Sequence, residues 1–420
     1  MEVNNMRSVI LDVGSMYTKA GFSGEIAPRK VFRSCVGTPR HPGACMKFFD
    51  PHLSNYVAGN EAFSNRGLLN LCWPVRYGDI KDFEHYEYLL YDTFYRSLEV
   101  VPDATSLLML QPPTQTHKDR ERVAEIVFET FNIPLLGLLN TATATVYSTG
   151  QTTGIAVDSG AGKTFIGAVC DGYPLAHPQR FSPVAGDVLT RELFDALRRK
   201  GYPLSTEKDW AMVETAKETL CRVSTPPSSD GPPRGDLKGT QRGGGGPQGP
   251  PCDTAPEARL RLPDNEHVFL FEQALLLGER LFDTALVSQL PGEAEVGINP
   301  MGDPTGYAVS NPVCARPFSG WADVVQDVLA AAPEAYRDGL ARNVVLGGGT
   351  TMMRDVEVRL QNELTQRATS AVKVIASNER AQAAWLGGSV WACSPSFPSL
   401  CLSKANYFEG ESNVVHHYAC

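Results

Sequence analysis

Two short stretches restrict what this chain can fold into more than any other: SVILDVGSMYTKAGF, starting at Ser8, and GIAVDSGAGKTFIGAV, starting at Gly154. Each opens as an apolar run, reaches an aspartate, passes through small residues and continues as a second β-prone run. The pattern predicts strand, tight turn, strand, written once around Asp12 and again around Asp158. The second stretch contains GAGKT, which resembles part of a phosphate-binding P-loop. That motif places a glycine five positions before its Gly-Lys-Thr, where this chain has Val157, and it must open into a helix. Thr164-Phe165-Ile166 is β-branched and aromatic instead, so the stretch reads as a hairpin. Turn amides left open by small residues form a nest for anions. A carboxylate at each strand end suits Mg²⁺, a hard cation shared between protein oxygens and phosphates. Two such hairpins facing each other would clamp a metal-bound nucleotide.

The rest of the sequence is compatible with that reading. At 420 residues the chain can build two or three domains with substantial cores. A net charge of −9 argues against direct binding to nucleic acid. No apolar run approaches the roughly 20 residues of a membrane span. The opening Met1-Glu2-Val3-Asn4-Asn5 lacks the form of a secretion signal. Ten cysteines occur without regular pairing, which predicts reduced thiols, with Cys35, Cys170 and Cys221 as small core residues. The expected location is therefore the cytoplasm, with the nucleus as a second compartment.

Strand-like and helix-like segments alternate, predicting an α/β fold. Ser106–Pro113 reads as a buried strand, 117–133 as an amphipathic helix stopped before Pro134, and 189–199 as a helix ended by Gly201 and Pro203. The composition then breaks. Gly and Pro fill close to half of 224–257, which predicts a disordered surface loop. A milder break spans 290–312. Order resumes with a helix from Trp321, the strand NVVLGGGTTM, a helix over Val356–Arg367, the strand AVKVIAS and a last helix around AQAAWLGGSVWAC. His416-His417 reads as an exposed tail rather than a metal site, because adjacent side chains point apart.

Several motifs now come in one order: LDVGSMYTKAGFSGEIAPRKVFRSCVGTPRH, FETFNIP, TTGIAVDSGAGKT, AKETLC, VLGGGTTM, NERAQAAWLGGS and VVHHYAC. Together they resemble the actin family, from about residue 8 to the C-terminus. The resemblance implies two α/β domains, each a sheet with flanking helices, hinged around a nucleotide cleft and divided into four subdomains. These would be 1–33, 74–148 and 388–420; then 34–73; then 149–184 and 316–387; then 185–315, with insertions at 224–257 and 290–312. It further implies ATP or ADP with Mg²⁺ as ligand. Asp12, Gly14, Ser15 and Lys19 would form the first phosphate hairpin, and Asp158, Gly160 and Gly162 the second. Lys217 and Glu218 would line base and ribose, Gly348, Gly349 and Thr350 would cover the nucleotide, and Asp12 and Asp158 would serve the metal.

The departures from the family carry equal weight. The glutamine that orients the attacking water falls on Thr141, with Asn140 one place earlier as a shifted substitute. The histidine of the water path falls on Phe165. Ala161 replaces an aspartate, Ala381 the lysine over the adenine and Met353 its neighbouring tyrosine. Met16 replaces a turn glycine, which would crowd the phosphates or strain the turn. Orienting water and stabilising charge is most of what a protein contributes to phosphoanhydride hydrolysis. The expectation is a protein that binds nucleotide with weak or no ATPase activity.

The resemblance implies a structural or interaction protein of the cytoskeleton. It leaves open a role in sperm-head structures of germ cells, or a subunit of a nuclear chromatin-remodelling complex. An active ATPase or sugar-kinase relative would need a positioned acid or base in the cleft, and Thr141 and Phe165 do not supply one. Tyr147, Val390 and Trp391 fall on a groove where partner helices dock in the family, although buried core between subdomains would use the same residues. Phe48-Phe49 stands in the loop that contacts the next filament subunit, either exposed or folded back. With that loop rebuilt and two insertions nearby, the chain is expected to join protein partners rather than to polymerise by itself.

Overall fold

The computed structural model describes residues 7–40, 56–224, 259–261, 267–270, 272–283, 320–367, 371–410 and 412–418. Phe48-Phe49, the segment 290–312 and all of 224–257 beyond Ser224 lie outside these residues. Ser224 itself is anchored: its amide and hydroxyl bond Glu279 Oε1 at 2.6 and 2.7 Å, and Arg359 Nη1 donates to its carbonyl at 3.0 Å.

Both hairpins form as the pattern predicts, and each is the start of a sheet. In the first sheet Val9–Val13 pairs antiparallel with Tyr17–Phe22, which pairs with Lys30–Arg33. On its other side Val9–Val13 runs parallel to Leu107–Gln111, which runs parallel to Leu135–Asn140. Leu402–Ser403 closes that edge. The second sheet repeats the scheme: Gly154–Ser159, Thr164–Cys170 and Tyr173–Ser182 form an antiparallel meander. Val344–Gly347 and Val374–Ile375 then add in parallel. The continuous apolar runs Leu107–Gln111 and Thr164–Cys170 are buried at every residue, as strands covered on both faces must be. The strand expected over AVKVIAS is only Val374–Ile375.

Each sheet carries its own core. Leu11, Leu107, Val127, Phe128 and Leu136 centre the first, and Ile155, Val157, Leu193, Trp321 and Leu346 the second. Cys35, Cys170 and Cys221 are buried, as expected. The helix His117–Glu125 starts in a capping box between Thr116 and Asp119 and continues as a wider turn to Thr130. Gly186–Arg199 begins three residues earlier than its apolar spacing suggested, and Glu207–Leu220 opens on a second capping box, Thr206 with Asp209.

The C-terminal residues depart from the tail expectation. Ser412–Tyr418 forms a 3₁₀ turn, and His416 Nε2 lies 3.0 Å from Glu121 Oε1 with its ring 4.0 Å from that of His117. Only His417 of the pair is exposed. Among the described residues no helix is long and apolar enough to cross a membrane.

Candidate functional site

The two hairpin turns meet at a cleft of about 490 Å³ whose lining includes all twelve residues expected to contact a nucleotide. On the first hairpin Asp12 stands directly opposite Lys19. Lys19 Nζ donates to Asp12 Oδ2 at 2.7 Å, with both side chains mostly shielded from solvent. The Gly14 amide donates to the Tyr17 carbonyl at 3.1 Å and closes the turn. Ser15 Oγ accepts from the Gly78 amide at 2.8 Å, so this hydroxyl braces a neighbouring loop as well as facing the cleft.

Met16 does not strain the turn in the way its replacement of a glycine suggested, although it also borders the cleft. It is not among the residues with positive φ. Its side chain is buried with Cys35, Val57, Leu69 and Trp73. The turn therefore never needed a glycine there, and the thioether is absorbed by a core that sequence alone does not reveal.

On the second hairpin Asp158 stands opposite Phe165 and runs beside Gly347. Burial, with the Asp12 charge added to it, pushes the Asp158 carboxyl up to about 6, against the opposing pull of Lys19. The loop above it leaves no room for a side chain. Gly348 has φ +84, and a Cβ there would lie 2.7 Å from Asp158 Oδ1 and 2.3 Å from the Ser159 carbonyl. Thr350 Oγ1 donates to the Gly160 carbonyl at 2.7 Å, tying this loop to the hairpin turn. Gly162 is equally constrained, since a Cβ would sit 2.4 Å from Tyr77 Cα.

The remaining wall comes from the helix Glu207–Leu220, where Glu214, Lys217 and Glu218 share one face at i, i+3 and i+4. Lys217 Nζ donates to Thr190 Oγ1 at 3.0 Å and to the Gly186 carbonyl at 3.2 Å. Glu214 receives Arg33 Nη1 at 3.0 Å across the cleft, and both side chains are well shielded. Burial raises the Glu218 carboxyl, and Glu214 adds to it, while Lys217 and Arg33 oppose. Asp187, at the start of the neighbouring helix, is pushed up to about 6 by burial despite Lys217. Sequence reading missed Arg33, Asp187 and Glu214. For Glu214 a signal existed, because it lies one helical turn before Lys217 and Glu218.

On the side where water would be handled, Thr141 and Phe165 both line the cleft. Phe165 is 5% exposed and packs on Phe181, ring centres 5.1 Å apart. Asn140 does not substitute for a water-orienting amide. Its Oδ1 accepts from the Ala142 amide at 2.9 Å and caps the helix Thr141–Tyr147. Met353 and Ala381 also line the cleft.

The three groove residues divide between the two readings. Val390 is 53% exposed. Trp391 packs edge-on against Phe397 at 5.3 Å, and both Trp391 and Tyr147 lie against the core around Trp385 and Leu108. Tyr147 Oη donates to the Gly172 carbonyl at 3.4 Å.

The donor set fits a metal-bound nucleotide. Asp12 and Asp158 bring two carboxylates against one ammonium, that of Lys19, leaving a net negative pair suited to a hard divalent cation. The glycine loops leave a cradle that side chains would fill. In comparison with known families, the family model described as Actin matches residues 3–420.

Proposed function

The chain belongs to the actin family, a match that spans essentially its whole length, and from that premise we propose that it is a nucleotide-binding structural protein with weak or no ATPase activity. Its ligand would be ATP or ADP with Mg²⁺, and its place the cytoplasm and cytoskeleton, among protein partners. The observation that carries this reading is the contrast within one cleft. The charge-bearing residues Asp12, Lys19, Asp158, Lys217 and Glu218 converge there, while the water-handling places hold Thr141 and the buried ring of Phe165.

Bound Mg²⁺ would neutralise phosphate charge. Asp12 and Asp158 would hold it, Lys19 orients Asp12, and turn amides of the two hairpins would donate to phosphate oxygens. Lys217 and Glu218 supply the polar edge of the base and ribose side. Neither Thr141 nor Phe165 is suited to hold a water in line: a phenyl ring has no donor or acceptor, and the threonine hydroxyl is carried on a much shorter side chain than an amide at that place. Two features support a partner-dependent role rather than self-assembly. Val390 offers exposed apolar surface beside Trp391, and the family resemblance implies that the Gly- and Pro-rich sequences 224–257 and 290–312 are insertions near a filament contact.

The test is thermal stability with and without ligand. A ligand at one hundred times its Kd stabilises the folded state by about 2.7 kcal/mol, so Mg-ATP should raise Tm by several degrees, and Asp158→Ala should abolish the rise. No rise with any nucleotide would sink the binding half of the proposal.

A further inference from the structure

The second hairpin contributes a single cation to the cleft, Lys163, and the family resemblance gives it no role. Lys163 closes the turn, its carbonyl accepting from the Gly160 amide at 3.1 Å. Its side chain crosses to the other half of the molecule. Nζ donates to Asp79 Oδ1 at 2.6 Å and to Thr114 Oγ1 at 3.0 Å. The ammonium is largely shielded, with 18% of the side chain exposed, and Lys163 and Thr114 both line the cleft. An ammonium has three N–H donors. Two are used here, and no third bond is made among the described residues.

The surroundings hold this charge in place. Asp79 lies on a two-stranded hairpin, Val75–Arg76 with Asp79–Ile80, whose turn residues Tyr77 and Gly78 have φ +53 and +76. That turn packs against Gly162 and donates from Gly78 to Ser15 Oγ. The two phosphate turns and the Asp79 hairpin are thus interlocked at one end of the cleft, with Lys163 as the cation among them. Asp79 also meets Lys81 Nζ at 3.3 Å, so one carboxylate faces two ammonium groups and the cluster keeps a net positive charge. Lys19, the cation of the first hairpin, is already committed to Asp12.

We propose that Lys163 is the residue by which this cleft distinguishes a nucleoside triphosphate from a diphosphate, its ammonium taking the terminal phosphate as a third partner while Asp79 and Thr114 fix its position. The inference rests on the nucleotide reading above. A charge-assisted bond to a shielded phosphate is among the stronger polar contacts, and a diphosphate lacks the group that would reach it. The competing role is a plain latch that ties the Asp79 hairpin to the second turn and contributes nothing to ligand choice.

Equilibrium titration of the full chain with Mg-ATP and Mg-ADP separates the two. Wild-type protein should bind ATP about tenfold or more tighter than ADP. Lys163→Met should weaken ATP by about tenfold or more and ADP by less than about threefold, erasing the preference. Asp79→Asn removes the ion pair but leaves the ammonium with an amide oxygen and Thr114 Oγ1 to hold it, so it should keep the preference. Tm of each variant without nucleotide checks that it folds, and the wild-type ratio of affinities needs no variant at all. Equal wild-type affinities, a Lys163→Met loss shared by both nucleotides, or an Asp79→Asn variant that copies Lys163→Met would each overturn the role of Lys163 while leaving the nucleotide reading standing. Binding of neither nucleotide by the wild type would overturn both.

Discussion

The two hairpins share a backbone and differ in what stands opposite the aspartate. Seven residues beyond Asp12 comes Lys19, its direct cross-strand neighbour; seven beyond Asp158 comes Phe165, in the same register. The first aspartate therefore faces a cation at 2.7 Å. The second faces an aromatic ring, and its burial raises its carboxyl to about 6. One half of the cleft is furnished to hold charge, and the other is dried by Phe165 and Phe181. On the function proposed above, the difference would separate two tasks, binding a charged ligand and managing water, that a repeated scaffold could have kept together.

The harshest way to break this comparison is to remove the charged side. Asp12→Ala deletes a metal-side carboxylate and leaves Lys19 without its partner. Affinity for Mg-ATP should fall about a hundredfold or more, read as loss of the nucleotide-dependent rise in Tm. Binding that survives this change would mean the first hairpin is not the anchor. The reciprocal change restores the dried side: Thr141→Gln combined with Phe165→His should raise the rate of phosphate release by about tenfold or more, measured in multiple turnover. No gain from a folded double variant would show that the block lies elsewhere.

A gentler probe uses pH. The folded pKa of Asp158 is about 6, above the ordinary value of about 3.9, so the folded state binds this proton more tightly than the unfolded chain. Its stabilising contribution is complete below about 4 and is lost as pH rises through about 6. Without nucleotide, Asp158→Asn should thus melt a few degrees above wild type at pH 7, lose about half of that advantage by pH 5 and the rest by about pH 4. Asp187 is shifted the same way by burial and carries the same sign. Mg-ATP affinity should fall as pH is lowered through the same window, because proton and metal compete for the carboxyl. A constant difference in Tm from pH 5 to 7 would contradict the buried state of Asp158.

The smallest effect concerns the turns themselves, where Met16 and Gly162 hold corresponding places. Met16 belongs to a core with Leu69 and Trp73, so Met16→Gly should leave nucleotide affinity within about threefold while lowering stability by about 2 kcal/mol or more. A large gain in affinity would revive the idea that the thioether crowds the phosphates.

The hairpins and the doubled α/β plan are legible in the sequence because they depend on local rules: apolar strands, small turn residues, a strand-end aspartate. Lys217, Glu218, Gly348, Gly349 and Thr350 are placed in the cleft by resemblance to the actin family. What escaped depends on distant partners. Asn140 looks like a displaced amide until its bond to the Ala142 amide identifies it as a helix cap. His416 looks like tail until Glu121, far away in sequence, appears beside it. Arg33 and Glu214, or Lys163 and Asp79, are unremarkable apart from one another; only the folded chain sets them 3.0 and 2.6 Å apart.

The most direct test of the central claim is to load the purified protein with Mg-ATP, remove free nucleotide, incubate, and identify by chromatography what remains bound. The account predicts a stable complex in which the eluted nucleotide is still ATP after many hours. Steady conversion to ADP with release of phosphate, abolished by Asp158→Ala, would contradict it.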